Sequence, residues 1–142
     1  MMKHSHQNII DILNREKCSC VIESVNGEIY IGYDRGVTDL LSLLNNNQTI
    51  LHGAFIADKV VGKGAAAIMI LGSVGGIYAD VISRQALQLI ENAGIDLEYR
   101  ILTDNIINRA GTDICPIEKL CADCKTAQEC LPHITDFVAK IK

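Results

Sequence analysis

The sequence predicts a single α/β domain in which three layers, α/β/α, surround a mixed five-stranded sheet. The pair Asn26-Gly27 separates two strand-like segments, which is the signature of an antiparallel β-hairpin. After the hairpin, strand-like and helix-like segments alternate, as they do where right-handed crossovers join parallel strands. The length of 142 residues suits one domain, and no repeat or linker divides the chain, so the domain is predicted to span residues 1–142.

Local patterns of apolar residues predict each element in turn. Helices are placed where apolar residues recur every three or four positions, and strands where apolar segments are short and bounded by polar loops. In chain order the prediction is a helix over residues 6–17, strands over 18–25 and 28–33, a helix over 37–44, a strand over 49–57, a helix over 65–71, a strand over 77–82, a helix over 83–93 and a strand over 97–101.

Individual residues set several of these boundaries. Both residues of the Asn26-Gly27 turn are expected at positive φ. Ser83 is predicted as an N-cap and Gly94 as the stop of the same helix.

The remainder of the chain, from residue 103 onward, is predicted to be helical. Pro116 is expected to open one helix, and Pro132 is expected to end another before the last one begins. Cysteines are concentrated here, so residues from about 115 to 142 are predicted to form a Cys-rich helical tail of the domain.

Composition excludes several classes of function. Thirteen Lys and Arg against 17 Asp and Glu give a net charge of −4, which argues against a nucleic-acid binder that neutralises phosphates. The longest uncharged run, residues 64–79, is shorter than the roughly 20 apolar residues of a membrane-spanning helix. The polar start of the chain does not resemble a secretory signal, and six cysteines are too few for a disulfide scaffold. We therefore expect a cytoplasmic protein with no membrane partner and reduced thiols.

Two segments resemble motifs of a bacterial family of unknown function that has a cytidine-deaminase-like fold. The first runs from Ala57 to Ala67 and the second from Ile107 to Pro116. The resemblance extends from about the hairpin through Pro116, which is most of the chain. It implies the cytidine-deaminase-like α/β/α sandwich and no established reaction, and it is compatible with a homodimer.

The chain departs from true deaminases at their zinc site. Those enzymes carry H-x-E or C-x-E at one helix start and P-C-x-x-C at the next, where His and two Cys hold Zn²⁺ and the Glu moves the proton. Here the first helix start reads Gly62-Lys63-Gly64-Ala65, and the second, over residues 81–86, contains no cysteine. We therefore expect no deaminase-type zinc, and we assign no metal ligands there and no hydrolytic deamination by that mechanism.

The same two helix starts predict a site for a phosphate-bearing, nucleotide-like ligand. Unpaired backbone N–H groups and helix dipoles attract anions, and Gly62 and Gly64 permit close approach. Lys63 adds a positive charge, and Arg84 beside Ser83 is expected at the second helix start. Lys63 is also a candidate catalytic nucleophile toward a carbonyl. The alternative is that the glycines serve helix packing and Lys63 is solvated.

A second group of candidate ligand-binding residues lies in the loop that precedes Pro116. Asn108, Arg109 and Thr112 could clamp a base, a ribose or another phosphate. Cys115 is expected at a helix N-terminus, where a thiol can be reactive, so it is the second catalytic candidate. The alternative is that these side chains cap helices, pair with carboxylates or fill space.

The cysteine spacing of the tail supports a different class of function. Cys115, Cys121, Cys124 and Cys130 contain one C-x₂-C pair with flanking cysteines. Such thiols could hold zinc or an iron–sulfur cluster, although the usual structural zinc pattern has two close pairs. A non-enzymatic scaffold or metal-responsive module is therefore the alternative to a nucleotide-binding protein, which could itself be a sensor or an enzyme.

Overall fold

The computed structural model describes residues 6–34, 36–108 and 110–141. In chain order its elements are α1 (Gln7–Arg15), β1 (Cys20–Glu23), β2 (Ile29–Gly32), α2 (Gly36–Asn46), a short 3₁₀ helix (Gln48–Ile50), β3 (Phe55–Val61), α3 (Lys63–Leu71), β4 (Gly76–Ser83), α4 (Arg84–Ala93), β5 (Asp96–Thr103), α5 (Pro116–Cys121) and α6 (Ala127–Ile141).

The five strands form one open, mixed sheet in the order β2-β1-β3-β4-β5. β1 pairs antiparallel with both β2 and β3, while β3, β4 and β5 run parallel. The crossovers that parallel pairing requires are α3 and α4, as the alternation of elements predicts. The predicted α/β class and the mixed five-stranded sheet are confirmed.

Side chains alternate between the two faces of the sheet, and each face packs into its own hydrophobic core. On one face, Phe55 and Ala57 of β3 pack with the apolar stripe of α1. On the other face, Ile56 joins a larger core to which helices α2 to α6 all contribute. Cys121 and Ile134 of the C-terminal helices are fully buried in this larger core. The Cys-rich segment is therefore packed into the body of the domain.

The hairpin forms at the predicted place with a different turn. Gly27 has φ 89°, and among the described residues Asn26 has no positive φ. The Gly27 N–H donates to Ser24 O and the Ser24 N–H to Glu28 O, so residues 24–27 form a four-residue turn that ends at the glycine. The prediction of two positive φ values is wrong, because a longer loop needs only its last residue in the left-handed region.

The strand predicted over residues 49–57 is displaced toward the C-terminus. β3 begins at Phe55 and continues to Val61, whereas residues 48–50 form a 3₁₀ helix. Leu51 is fully buried from the turn that follows, where the Ala54 N–H donates to Leu51 O. Apolar character therefore marks burial here and not an extended backbone.

Two predictions for the C-terminal third are also wrong. The segment after β5 is an extended loop, in which Ile107 pairs with Ile114 across a reversal at Gly111 (φ 73°). Pro132 lies inside α6 and does not end a helix. The buried stripe of α6, which includes Ile134, holds the helix together across the one hydrogen bond that proline removes.

Three predicted boundary residues are confirmed. The Ser83 side chain accepts a hydrogen bond from the Ala86 N–H, Gly94 adopts the left-handed conformation, and Pro116 opens α5. Within the described ranges, every helix falls short of the length and apolar character needed to cross a membrane.

Candidate functional site

A cavity of about 460 Å³ lies beside the carboxyl end of β3. The last residues of β3, the start of α3, residues 106–108, the start of α5 and the end of α6 form its walls. Ligand pockets usually measure roughly 300–1,000 Å³ and are mainly apolar. The side chains that line this cavity are also mainly apolar, and they include Val37, Val60, Ile106, Ile117, Phe137 and Ile141.

Asp58 is one of two buried carboxyl groups in the cavity wall, and only 2% of the residue is exposed. Its Oδ1 accepts a hydrogen bond from the Val60 N–H at 3.2 Å. Its Oδ2 is buried and has no hydrogen-bond partner among the described residues. Burial raises the pKa of Asp58 to about 7, against the opposing effect of backbone N–H groups from Val60 and Lys59. Near neutral pH this carboxyl group can therefore donate or accept a hydrogen bond.

Glu118 occupies the position in which the sequence predicted an anion. It is 1% exposed, and its Oε2 accepts a hydrogen bond from the Lys63 N–H, the first residue of α3, at 2.9 Å. Its Oε1 accepts one from the Ile106 N–H, also at 2.9 Å. A carboxylate of the chain itself thus satisfies one unpaired donor at this helix start and interacts favourably with the helix dipole.

The amine of Lys63 is directed to the end of α5. Its Nζ donates hydrogen bonds to Cys124 O at 2.5 Å and to Ala122 O at 3.3 Å. Ala122 is the C-cap of α5, so the ammonium group satisfies carbonyl groups at the negative end of that helix. In this structure Lys63 therefore joins α3 to the connection between α5 and α6.

Gly62 and Gly64 line the cavity and allow α3 to approach its neighbours closely. A Cβ atom on Gly64 would overlap Ile117 of α5, and one on Gly62 would lie 3.2 Å from Ile106 Cγ1. These contacts support the alternative that the glycines serve helix packing.

The second predicted helix start does not reach the cavity. Ser83 is fully buried as the cap of α4. Arg84 is exposed, and its Nε lies 2.7 Å from Asp104 Oδ1. Neither residue lines the cavity, so the structure does not bring Ser83 and Arg84 together with Lys63.

The predicted loop residues are divided between the cavity and the surface. Asn108 lines the cavity, but its side chain bonds to Thr112, whose N–H donates to Asn108 Oδ1 at 3.1 Å. Thr112 is exposed and does not line the cavity, and Arg109 lies outside the described residues. Cys115 is the half-buried N-cap of α5 and faces the cavity.

Comparison with known protein families and solved structures identifies the family of this chain. Residues 8–138 match the family described as "Domain of unknown function (DUF1893)". The chain belongs to the DUF1893 family. A DUF1893 family protein (TM1506) from Thermotoga maritima, with a crystal structure at 2.70 Å resolution, is similar to it with a TM-score of 0.85. That likeness covers 96% of this chain and 91% of the other at 24% identity, so it shows the shared α/β fold alone. No curated protein matches the chain at a significant level.

The tail cysteines of this DUF1893 chain lie apart from the cavity, except for Cys115. All six cysteines of the chain are free, and Cys130 lies against the thiols of both Cys121 and Cys124. Contact with Cys130 is the main cause that lowers the pKa of Cys121. In the part of the chain that the structure describes, no group of three or more His, Cys, Asp or Glu side chains is arranged to hold a metal ion.

Sequence reasoning missed the two carboxyl groups that shape this DUF1893 site. Asp58 lies in the first motif, Ala57 to Ala67, but sequence reasoning assigned it no role. An acidic residue beside an apolar segment is nevertheless a signal of a buried polar group. Glu118 follows Pro116 in the first turn of a helix, where acidic residues are common, so its sequence position does not distinguish it. The site as built offers a buried carboxyl group, apolar walls and one half-buried thiol.

Proposed function

We propose that this DUF1893 chain binds a compact heterocyclic ligand of nucleoside size in the cavity beside β3, with Asp58 Oδ2 as the polar anchor. One observation carries the proposal: Asp58 lines a mainly apolar cavity, and its buried Oδ2 has no hydrogen-bond partner among the described residues. Leaving such a group unpaired costs about 1–3 kcal/mol. A ligand that supplies the missing hydrogen bond recovers that free energy.

The chemistry of the walls favours a planar ring with polar atoms on one edge. Phe137 and the aliphatic side chains provide apolar contact area, while Asp58 can meet either a donor or an acceptor because its pKa is about 7. Nucleobases carry both donors and acceptors on the edges of a flat ring. This supports a nucleoside-like ligand over an aliphatic one.

The phosphate of a nucleotide fits the structure less well at the position first predicted for it. Glu118 already accepts the Lys63 N–H, and the Lys63 ammonium group bonds to two carbonyl groups. We therefore propose that the ring end of the ligand enters the cavity and that any phosphate remains outside the start of α3. A reaction is not part of the proposal.

We further propose that the domain is a three-layer, cytidine-deaminase-like sandwich and that the protein is cytoplasmic. The sheet order β2-β1-β3-β4-β5, with helix α1 on one face and the other helices on the opposite face, supports the three-layer, cytidine-deaminase-like interpretation. Six free thiols support a reducing, cytoplasmic location. A homodimer stays a prediction.

Ligand-observed NMR and calorimetry test the proposal with four nucleosides (adenosine, cytidine, guanosine and uridine), their 5′-monophosphates and inorganic phosphate. We expect at least one nucleoside to bind and Asp58→Asn to weaken that binding roughly tenfold or more, a loss of about 1.4 kcal/mol or more. Arg84→Ala, which changes an exposed residue outside the cavity, is the matched control and should leave binding unchanged.

Two outcomes would contradict the proposal. Absence of binding by every nucleoside and monophosphate at millimolar concentration would remove it. Binding of inorganic phosphate that is lost in Lys63→Ala and retained in Asp58→Asn would instead support the phosphate site first predicted at the start of α3.

The scaffold or metal-responsive alternative retains one supporting observation, the neighbouring thiols of α5 and α6. Elemental analysis of protein purified without chelator distinguishes it from the proposal. About one zinc or iron per chain would favour the metal-responsive module. Metal-free protein that binds nucleosides would remove it.

A further inference from the structure

Three cysteines form a thiol cluster where α5 meets α6. Cys121 ends α5, Cys124 lies in the connection, and Cys130 lies in the second turn of α6. Cys130 contacts the thiols of both other residues, and all three are free. The cluster lies outside the proposed ligand cavity, because none of the three side chains lines it.

Exposure decreases through this cluster from the surface to the core. Cys124 is half-buried, and its neighbours in the connection, residues 122, 123, 125 and 126, are exposed. Cys121 and Cys130 are fully buried. Within this cluster a small reagent in solution can therefore reach Cys124 first, and the buried Cys130 thiol is in contact with it.

We propose that Cys124 and Cys130 form a dithiol site that exchanges with low-molecular-weight disulfides and closes a Cys124–Cys130 disulfide. The Cys124 thiolate attacks one sulfur of the small disulfide, forms a mixed disulfide and releases one small thiol. The Cys130 thiolate then attacks the Cys124 sulfur and releases the second small thiol. The two cysteines lose two electrons and two protons, and the small disulfide is reduced to two thiols.

The surroundings of the cluster set the pH dependence of these steps. Burial raises the pKa of Cys124, and contact with Cys121 together with burial raises the pKa of Cys130, so both attacks are slow at neutral pH and faster in mildly alkaline buffer. The Lys63 ammonium group lies near all three sulfurs and opposes this rise, since a nearby positive charge favours the thiolate.

The same lysine connects the dithiol site to the cavity wall. Lys63 Nζ bonds to the backbone carbonyl of Cys124, while the Lys63 N–H bonds to Glu118 in the cavity wall. The proposed disulfide would therefore form in the segment whose carbonyl groups accept hydrogen bonds from Lys63, the first residue of α3.

Mass spectrometry of the native full chain after exposure to excess oxidised glutathione in mildly alkaline buffer tests the proposal. We expect a product lighter than the reduced protein by two hydrogen atoms, with a Cys124–Cys130 link in the peptide map. Cys130→Ala should instead stop at a glutathione mixed disulfide on Cys124. Cys124→Ser cannot form this link, and oxidation of its cluster by glutathione should be at least tenfold slower, because Cys121 and Cys130 are buried.

Cys121→Ala is the matched control, since it removes an equally buried thiol of the same cluster. It should still form the Cys124–Cys130 disulfide. The proposal is overturned if the unmodified chain accumulates the mixed disulfide, links Cys121 to Cys130, or does not react while a urea-unfolded sample does.

Discussion

At the scale of single residues, two buried carboxyl groups in one cavity wall are accommodated in different ways. Glu118 accepts hydrogen bonds from two backbone N–H groups, one through each oxygen. Asp58 accepts one from Val60 through Oδ1, and its Oδ2 has no partner in the described ranges. The difference makes Glu118 a structural contact between elements, whereas Asp58 is the group to which the proposal assigns ligand binding.

The titration of Asp58 predicts how stability depends on pH. Burial raises its pKa from 3.8 to about 7, so between these values the folded state binds more protons at this site than the unfolded state does. The contribution of Asp58 to stability is therefore fully present below about pH 4 and is lost as pH rises to about 7. The loss should amount to roughly a few kcal/mol, since one pKa unit corresponds to about 1.4 kcal/mol.

Urea unfolding of the parent and of Asp58→Asn, measured at several pH values from acidic to mildly alkaline, checks this prediction. The difference between the two proteins isolates Asp58, because the other titrating groups are common to both. The free energy of unfolding of the parent should fall relative to that of the variant as pH rises. Parallel stability curves would show that Asp58 does not titrate in this range.

Removal of the Glu118 carboxylate should destabilise the fold. Glu118→Ala leaves the Lys63 and Ile106 N–H groups without their acceptor, which should lower the free energy of unfolding by roughly 2–4 kcal/mol. Glu91→Ala, at an exposed position of α4, is the control and should change it by less than about 0.5 kcal/mol. Equal effects of the two variants in urea unfolding would contradict the role assigned to Glu118.

At the scale of elements, tertiary contacts determine the continuity of α6 through Pro132 more strongly than local propensity does. The helix runs from Ala127 to Ile141 although Pro132 lies within it. Its buried side chains, which include Cys130, Ile134 and Val138, face the main core. Burial of this stripe stabilises the turns on both sides of the proline.

Replacement of Pro132 should stabilise the protein. Pro132 is exposed, so Pro132→Ala removes little packing, while it restores a backbone donor and relieves the ring's contact with the preceding turn. We expect the free energy of unfolding to rise by roughly 1–3 kcal/mol. His133→Ala, at the adjacent exposed position, should leave stability nearly unchanged in the same urea titration. A loss of stability in Pro132→Ala would mean that the proline serves the native helix.

At the scale of the whole molecule, the C-terminal helices complete the main core and the cavity. Ile134 of α6 is fully buried in the core that also contains Ile56 and Ile68. Phe137 and Ile141, later in the same helix, line the cavity. One helix thus contributes to the packing of the domain and to the walls of its candidate site.

This arrangement predicts that the C-terminal segment unfolds together with the rest of the chain. Ile134→Ala should lower the free energy of unfolding by roughly 2–5 kcal/mol, whereas Ile141→Ala, at a 42% exposed position of the same helix, should lower it by less than about 1 kcal/mol. Both variants should unfold in a single transition when unfolding is followed by far-UV circular dichroism. A separate early transition for the C-terminal helices would contradict this prediction.

Sequence by itself determined the elements whose signals are local. The Asn26-Gly27 hairpin, the Ser83 cap, the Gly94 stop and the Pro116 helix start each depend on one or two residues and their neighbours. The alternation of strands and helices was sufficient to predict the mixed sheet, because right-handed crossovers leave few other arrangements.

Only the tertiary structure decided which charged groups face the cavity. Lys63 and Glu118 are far apart in the chain, and their meeting depends on how α5 packs against the start of α3. That packing turns the Lys63 ammonium group toward Cys124, supplies the helix start with a carboxylate of the chain itself, and leaves Asp58 with an unpaired oxygen among the described residues. Hydrogen bonds between distant residues have no local sequence signal, because they are fixed by the packing of whole elements and not by residue spacing.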